Sequence, residues 1–252
     1  MNPRLREAIR LTALAAREIK DGEICFVGIG IPSLAAMAAK RHHARNAVLI
    51  YESGAIDCSP PIPPLSTGSP AVVADTAMIG SCLDVFAMLQ QGRVSRGLLS
   101  GAQVDRFGNL NSTVLGPYDA PRVRLVGSGG AHDVATLAAD VLIMMPHDAR
   151  RFVERVDFVT SPGLRTAANG LADVPLRGGG PSCLLTPRAR FTFEAGELTL
   201  AGLALGVDET EALEGFCWTV PRAADLRRLP PVEPALMATA EALVSAAGRA
   251  AL

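Results

Sequence analysis

The sequence predicts an α/β protein with a mainly parallel sheet covered on both faces by helices. Three observations carry this. Short apolar runs that suit buried strands alternate with amphipathic segments, as in βαβ units. Each run ends in glycine or a small polar turn. Hydrophobic residues make up 49% of 252 and charged residues 19%, enough apolar surface for a sizeable core and too little charge for a disordered chain.

Element by element, Asn2–Lys20 has Leu5, Ala8, Ile9, Ala15, Ala16 and Ile19 on one helical face, with Thr12 as a small polar interruption. Asp21-Gly22 is a turn. Ile24–Val27 is a strand ending in Gly28-Ile29-Gly30-Ile31-Pro32, after which Ser33 is expected to cap a helix running through Leu34–Ala39 to the polar segment Lys40–Arg45. Ala47–Tyr51 is a second buried strand that delivers Glu52-Ser53-Gly54 at its carboxyl end. Strand, helix, strand in this order is a βαβ unit and calls for parallel pairing.

Pro60–Pro70 holds five prolines and is expected as a loop. A helix over Asp84–Gln91, a strand over Gly97–Val104 with a hairpin-like turn through Asn109, and a strand over Arg122–Val126 ending at Gly127-Ser128-Gly129-Gly130 follow. Next come a helix over Asp133–Ala139 and a strand over Val141–Met145. Leu164–Pro181 is rich in glycine and alanine, Cys183–Leu200 suggests two or three antiparallel strands, and Pro234–Ala250 a last helix with proline in its first turn. One domain over residues 1–252 is expected.

Composition also narrows function. Net charge is −1, with no basic stripe interleaved with aromatics, so a nucleic-acid partner is not expected. Neither a signal peptide nor a membrane-spanning apolar run is recognised, and a soluble, cytoplasmic protein is expected. The five cysteines are scattered without a CxxC pair, which implies neither a disulfide framework nor a zinc site. No metal site is expected, because His42, His43, His132 and His147 match no ligand spacing.

Ligands of open α/β sheets bind at the carboxyl ends of strands. Three loops fall there: Gly28–Ser33, Glu52–Asp57 and Gly127–Ala131. The glycine loops fit neither GxGxxG nor a Walker A sequence, so nucleotide binding has little support. Glu52 is more informative, since a carboxylate leaving a buried strand is unfavourable unless paired, hydrogen-bonded or used chemically. Read from the residues alone, it is either a structural carboxylate or a nucleophile or general base. Cys58 has no neighbouring His in a recognisable pattern and reads as an ordinary thiol. Arg150-Arg151-Phe152 reads as a solvated helix face, with an anion contact as the alternative.

Taken together, Tyr51-Glu52-Ser53-Gly54 with Asp57-Cys58-Ser59-Pro60, Gly101-Ala102-Gln103-Val104-Asp105 with Gly108-Asn109-Leu110-Asn111-Ser112-Thr113, Gly127-Ser128-Gly129-Gly130-Ala131, and the run from Met144-Met145 through Arg150-Arg151-Phe152 to Thr160-Ser161-Pro162-Gly163 resemble the β-type subunits of family I CoA-transferases of the glutaconate type. The resemblance spans roughly residues 5–220 and is densest from 47 to 163. It implies a three-layer fold and Glu52 as covalent nucleophile, passing through an acyl-glutamyl anhydride to a glutamyl-CoA thioester. It implies backbone amides of Gly127–Gly130 as oxyanion or CoA-binding groups, and Ser53, Gly54, Gln103, Gly28 and Gly30 as cleft residues. Coenzyme A would be a substrate, with no cofactor besides. A separate α-type subunit would be the partner, completing a hetero-oligomer that acts on acyl-CoA and carboxylic acids. The Glu-Ser-Gly sequence differs from the Glu-Asn-Gly usual in the acetoacetate and butyrate branch. Retention of Glu52 argues against relatives that have lost it and decarboxylate or hydrolyse instead. An acyl-CoA hydrolase, a non-catalytic acyl-CoA-binding subunit and, more distantly, a sugar-phosphate isomerase are the competing readings.

Overall fold

The structure, a computed structural model, describes residues 2–173 and 177–248. Contacts divide the chain into two compact units, Met1–Leu99 with Val232–Leu252, and Ser100–Pro231.

The first unit begins with helix α1 (Pro3–Glu18), capped by the Asn2 side chain on the Arg4 amide. All of the expected apolar face but Leu5 is buried, and so are Leu11, Thr12, Ala13 and Leu14, because helices α2 (Ile31–His42) and α6 (Pro234–Ala247) both pack against α1. The expected end of α6, Arg249-Ala250, lies outside the described residues. Strands β1 (Ile24–Val27), β2 (Val48–Ile50), β3 (Ala55–Cys58), β4 (Thr76–Ile79) and β5 (Arg96–Leu99) form the sheet order β5-β1-β2-β3-β4. Parallel pairing joins β1 to β2, with Phe26 opposite Ile50, and β1 to β5, with Val27 opposite Leu98. Strands β2, β3 and β4 are antiparallel. Neither β3 nor β4 was expected: β4 exposes Met78 and Ile79, so its apolar residues give no inward-outward alternation. Pro60–Ser69 carries no helix or strand, as predicted, and the last residue of the expected loop, Pro70, opens a 3₁₀ turn at Pro70–Val72. Helix α3 (Cys82–Gln90) starts at a reciprocal Ser81–Asp84 capping box.

Two corrections concern this unit. Ser33 does not cap α2; Gly30 occupies the cap, since Pro32 fits the first turn and lets the helix start earlier. The run Gly97–Val104 is not one strand. It ends as β5 at Leu99, and Gln103–Val104 (β6) pairs with Leu110–Asn111 (β7) in a small hairpin of the second unit.

The second unit continues with β8 (Val114–Leu115), whose Val114 is buried, paired to β9 (Val123–Arg124), which is exposed and shorter than the strand expected over Arg122–Val126. Helix α4 (Ala131–Leu137) and strand β10 (Val141–Met144) fall where predicted. Strands β11 (Pro181–Leu185), β12 (Ala189–Thr192) and β13 (Thr199–Leu203) supply the predicted antiparallel pairs. Strand β14 (Arg222–Arg228) lies parallel to β13, and the order is β14-β13-β12-β11-β10. A short helix, α5 (Glu209–Leu213), has a capping box at Asp208 and Glu211. The α/β class, with parallel strands in both units and antiparallel ones toward the C-terminus, is as expected.

The second unit buries one aromatic cluster. Phe152 and Phe216 stack with centroids 4.1 Å apart, and Phe191, Trp218 and His147 close around them. The His147 Nε2 bonds the Glu214 carbonyl at 2.8 Å. Burial, reinforced by the Arg188 charge, pulls its pKa down to about 4. Below the ordinary histidine value of about 6.5, the unfolded chain therefore binds a proton that the folded chain refuses. Stability from neutral His147 is present above that pH and is lost as pH falls toward 4. Unfolding midpoints measured from pH 7 down to 4 should drop less steeply in His147→Gln than in the parent; parallel slopes would assign the acid sensitivity to other groups.

Candidate active site

Parallel pairing fixes where the candidate residues emerge. In the first unit β1 and β2 run in register, Cys25 opposite Leu49 and Phe26 opposite Ile50. Gly28–Gly30 and Tyr51–Gly54 therefore leave the sheet on one carboxyl edge. Gly28 donates its amide to the Leu98 carbonyl at 3.0 Å, continuing the β1–β5 ladder by one step. Gly30 is the cap of α2 with φ of +85°. Gly28, Gly30, Glu52, Ser53 and Gly54 thus share one edge, as the sequence implies.

Glu52 occupies a three-residue hairpin loop between β2 and β3. Tyr51 N donates to Ala55 O at 3.0 Å, and Gly54 N donates to Tyr51 O at 3.0 Å. The Gly54 φ of +107° closes the loop. A Cβ on Gly54 would stand 2.3 Å from the Gly80 carbonyl oxygen, because that backbone crosses directly over it and Gly80 N donates to Gly54 O at 2.8 Å. Glu52 is partly buried and Ser53 exposed.

Both flanks of this turn are anchored to α2. Tyr51 is fully buried, and its hydroxyl meets Ser33 Oγ in the first turn of α2 at 2.7 Å, which satisfies the one polar atom of a buried ring. At the other end of α2, Lys40 Nζ pairs with Asp57 Oδ1 at 2.5 Å, and Arg41 donates to the carbonyls of Pro60 and Pro61 at 2.8 and 3.0 Å. Asp57 takes a positive φ, the only non-glycine to do so among the described residues. The Asp57–Pro60 motif therefore braces the Glu52 turn. Cys58 is buried with its pKa pushed up to about 11 by desolvation, which leaves it a poor nucleophile at neutral pH.

The remaining candidates, Gln103 and Gly127–Gly130, belong to the second unit. There Ser112 holds Gly127 at both polar backbone atoms: Gly127 N donates to Ser112 O, and Ser112 Oγ donates to Gly127 O, each at 2.8 Å. Ser112 N in turn donates to Thr160 Oγ1 at 2.9 Å, and Thr160 Oγ1 lies 2.7 Å from Thr113 Oγ1. Ser161 Oγ donates to Ala131 O, and His132 Nδ1 stands 3.2 Å from Thr160 O. Gly127 and Gly129 both take positive φ, so the loop curls. The Gly127 amide is already engaged and cannot serve an oxyanion. The Ser128 and Gly129 amides have no partner among the described residues.

Gln103 is buried and bonded. Its Oε1 accepts from Asn111 Nδ2 at 2.7 Å and from Asp157 N at 3.0 Å. Asp105 and Asn109 continue this interior network, where Asp105 accepts from the Phe107 and Asn109 amides and from Asn109 Nδ2. The motif residues from Gly101 to Thr113 and from Thr160 to Gly163 thus act mainly as a polar frame behind the glycine loop. Sequence reasoning missed Ser112 and Thr160 as its holders, although both lie in the quoted motifs. Arg150-Arg151-Phe152 is not a helix face: it is a turn after β10 in which Phe152 is buried and bridges to Val104. Among the described residues, no three His, Cys, Asp or Glu side chains group as metal ligands, and no helix is long and apolar enough to cross a membrane.

Residues 8–174 match the Coenzyme A transferase family model. The chain is 39% identical over 213 residues to the B-type subunit of 3-oxoadipate CoA-transferase from Pseudomonas knackmussii, covering 83% of this chain and 82% of that one. It is 36% identical over 185 residues to the B-type subunit of glutaconate CoA-transferase from Acidaminococcus fermentans, covering 71% and 69%. The crystal structure of glutaconate coenzyme A-transferase from the same organism superposes with a TM-score of 0.83 at 30% identity over 92% of each chain. A decarboxylase, AibA/AibB, has the same fold at 21% identity and a TM-score of 0.79.

Gly54 is the position where this site tolerates least. Gly54→Ala forces a left-handed conformation on alanine and a clash with a backbone carbonyl, at a cost of at least about 1–3 kcal/mol. The variant should melt at lower temperature and lose activity even where it folds, whereas Ser53→Ala should melt like the parent.

Proposed function

The chain belongs to the coenzyme A transferase family, and from that premise we propose that it is the B-type subunit of a heteromeric enzyme exchanging CoA between an acyl-CoA and a free carboxylate. The acyl group is of the dicarboxylic or 3-oxo class. The observation that carries the reading is Glu52, a carboxylate at the carboxyl edge of parallel strands on a turn that α2 and the Gly80 backbone hold rigid.

Glu52 attacks the acyl-CoA carbonyl and expels CoA thiolate, forming an acyl-glutamyl anhydride. The thiolate then attacks the glutamyl carbonyl, releasing the first carboxylate and leaving a glutamyl-CoA thioester. An incoming carboxylate runs the two additions in reverse. One thioester is exchanged for another, so the free energy is conserved and neither ATP nor a metal is needed. Each addition creates an oxyanion, for which the unengaged Ser128 and Gly129 amides are suitable donors. An α-type subunit supplies the rest of the cleft, a reading supported by the relatives, which are themselves named as one lettered subunit of a larger enzyme. Because the carboxylate is a weak nucleophile, binding of the distant nucleotide end of CoA helps drive the reacting ends together. The mechanism is ping-pong, and the expected location is the cytoplasm.

The test incubates the chain, co-expressed with its α-type partner, with glutaryl-CoA and searches its peptides by mass. CoA attached to Glu52, discharged by acetate into a new thioester, is expected. Free CoA accumulating without an acceptor acid would favour a hydrolase, and no adduct with no turnover a non-catalytic acyl-CoA-binding role. Glu52→Gln should fold normally and lose the half-reaction; substantial residual exchange in that variant would count against Glu52 as nucleophile.

A further inference from the structure

Arg150 and Arg151 have no role in the chemistry at Glu52, yet both line cavities of the second unit. Arg151 is a partly buried cation whose Nη1 donates to the Gly101 carbonyl at 2.8 Å, and no carboxylate pairs with it among the described residues. Asp148 is near enough to be felt, but Arg150 engages it through Nε at 3.0 Å and Nη2 at 2.5 Å. Burial disfavours the charged form of Arg151, though arginine keeps its proton at neutral pH.

Two open cavities, of about 410 and 620 Å³, meet at Arg151 and Ala102, which belong to both walls. Each is within the range for small-molecule sites. Arg122 and Arg150 line the smaller cavity, and Arg124 lines the larger. The Arg122 side chain has no hydrogen bond or ion pair among the described residues. Arg124 reaches the Tyr118 carbonyl at 3.3 Å and lies 4.9 Å from the centroid of that ring. The one carboxylate in either wall is Asp148, which Arg150 already holds. Leu125 and Val126 flank the larger cavity, and Val126 is 98% exposed. A cationic strip thus runs from one cavity into the other, with an apolar shelf along one side.

We propose that these joined cavities bind an organic diphosphate. Its phosphates lie on Arg151, with Arg122 on one side and Arg124 on the other, and its organic group lies on Leu125 and Val126. Three guanidiniums without a carboxylate of their own call for more negative charge than a single carboxylate ligand brings. Phosphate oxygens suit the planar fork of arginine, and two linked phosphates present such oxygens to both sides of Arg151. A bare inorganic anion would leave the Leu125–Val126 shelf uncovered. The site stands on second-unit residues alone and takes nothing from Glu52, so it goes beyond the exchange reading. A free nucleoside diphosphate and the nucleotide end of an acyl-CoA both carry this chemistry.

The test is calorimetric titration of ADP into the chain in complex with its α-type partner, at low salt. Saturable binding is expected, weakening as added salt screens the charges. Arg151→Gln and Arg122→Gln should each lower the affinity by roughly 10- to 100-fold, the range for hydrogen bonds to a charged group. Because the Arg122 side chain holds nothing else among the described residues, its variant reads the site even if Arg151→Gln fails to fold. AMP, with one phosphate, should bind at least about 10-fold more weakly than ADP. Absent ADP binding, undiminished affinity in Arg122→Gln, or equal affinity for AMP and ADP overturns the proposal. Free CoA then separates the two sources of the ligand. Displacement of ADP by CoA assigns the site to the nucleotide end of the acyl donor, and simultaneous binding of both assigns it to a free nucleotide. No turnover is involved, so a missing Glu52 adduct would sink the exchange reading and leave this site standing.

Discussion

At Gly54 two backbones cross with no room between them for a side chain, and the geometry of the first unit's edge follows from that crossing. The Gly54 amide closes the turn on Tyr51, its carbonyl accepts from Gly80, and the missing Cβ makes space for the Gly80 carbonyl. The same contact aligns β3 with β4, Ala55 opposite Ile79, and brings the chain to Ser81, where the capping box starts α3. Glu52 is thus fixed by backbone hydrogen bonds on both sides rather than by a long side-chain lever. Tyr51 and Asp57 tie the two flanks to opposite ends of α2, so the turn cannot shift without moving a helix buried against α1 and α6.

The glycine loop of the second unit is held differently. Its supports, Ser112, Thr113, Thr160 and Ser161, are all neutral. In the proposed exchange, a loop offering amides to a developing negative charge would be compromised by a nearby carboxylate, and a lysine would compete for the same oxyanion. Hydroxyl and amide groups orient the loop without adding net charge, and a fully satisfied network of them is stiff. Burial reinforces this frame: Gln103, Asp105, Asn109 and Asn111 are all interior, where a lost partner leaves an unsatisfied group worth about 1–3 kcal/mol.

How much of this was legible follows from what each feature depends on. Strands β1 and β2 read directly because they are buried apolar runs, and Glu52 stood out as a carboxylate at the end of one. Strand β4 was invisible because its apolar residues face outward, and β14 because Arg222, Arg227 and Arg228 mask its pattern. Gly97–Val104 read as one strand because nothing local marks the departure at Ser100-Gly101 from one unit to the other. Ser33 read as a cap because a serine before an apolar run is usually one; its actual partner, Tyr51, lies 18 residues away. Ser112, Thr160 and Arg151 share that difficulty more severely. The Ser112–Thr160 and Gly101–Arg151 bonds span 48 and 50 residues, and no local spacing encodes them.

These two modes of support match the two demands of the proposed exchange. Thioester transfer between carboxylates is close to thermoneutral, so the barrier, and not the driving force, is what the protein must alter. Orienting the reacting groups can remove about 7–11 kcal/mol of a barrier, whereas a single oxyanion donor contributes about 2.7–4 kcal/mol. For a nucleophile as weak as a carboxylate, positioning therefore lowers the barrier more, and two donors approach that effect only together. The structure is rigid in the corresponding places. The Glu52 turn leaves no tolerance at its glycine, and the loop of Ser128 and Gly129 is clamped through the Gly127 amide. Using that amide as an anchor leaves two adjacent donors with a fixed direction, which three mobile ones would lack.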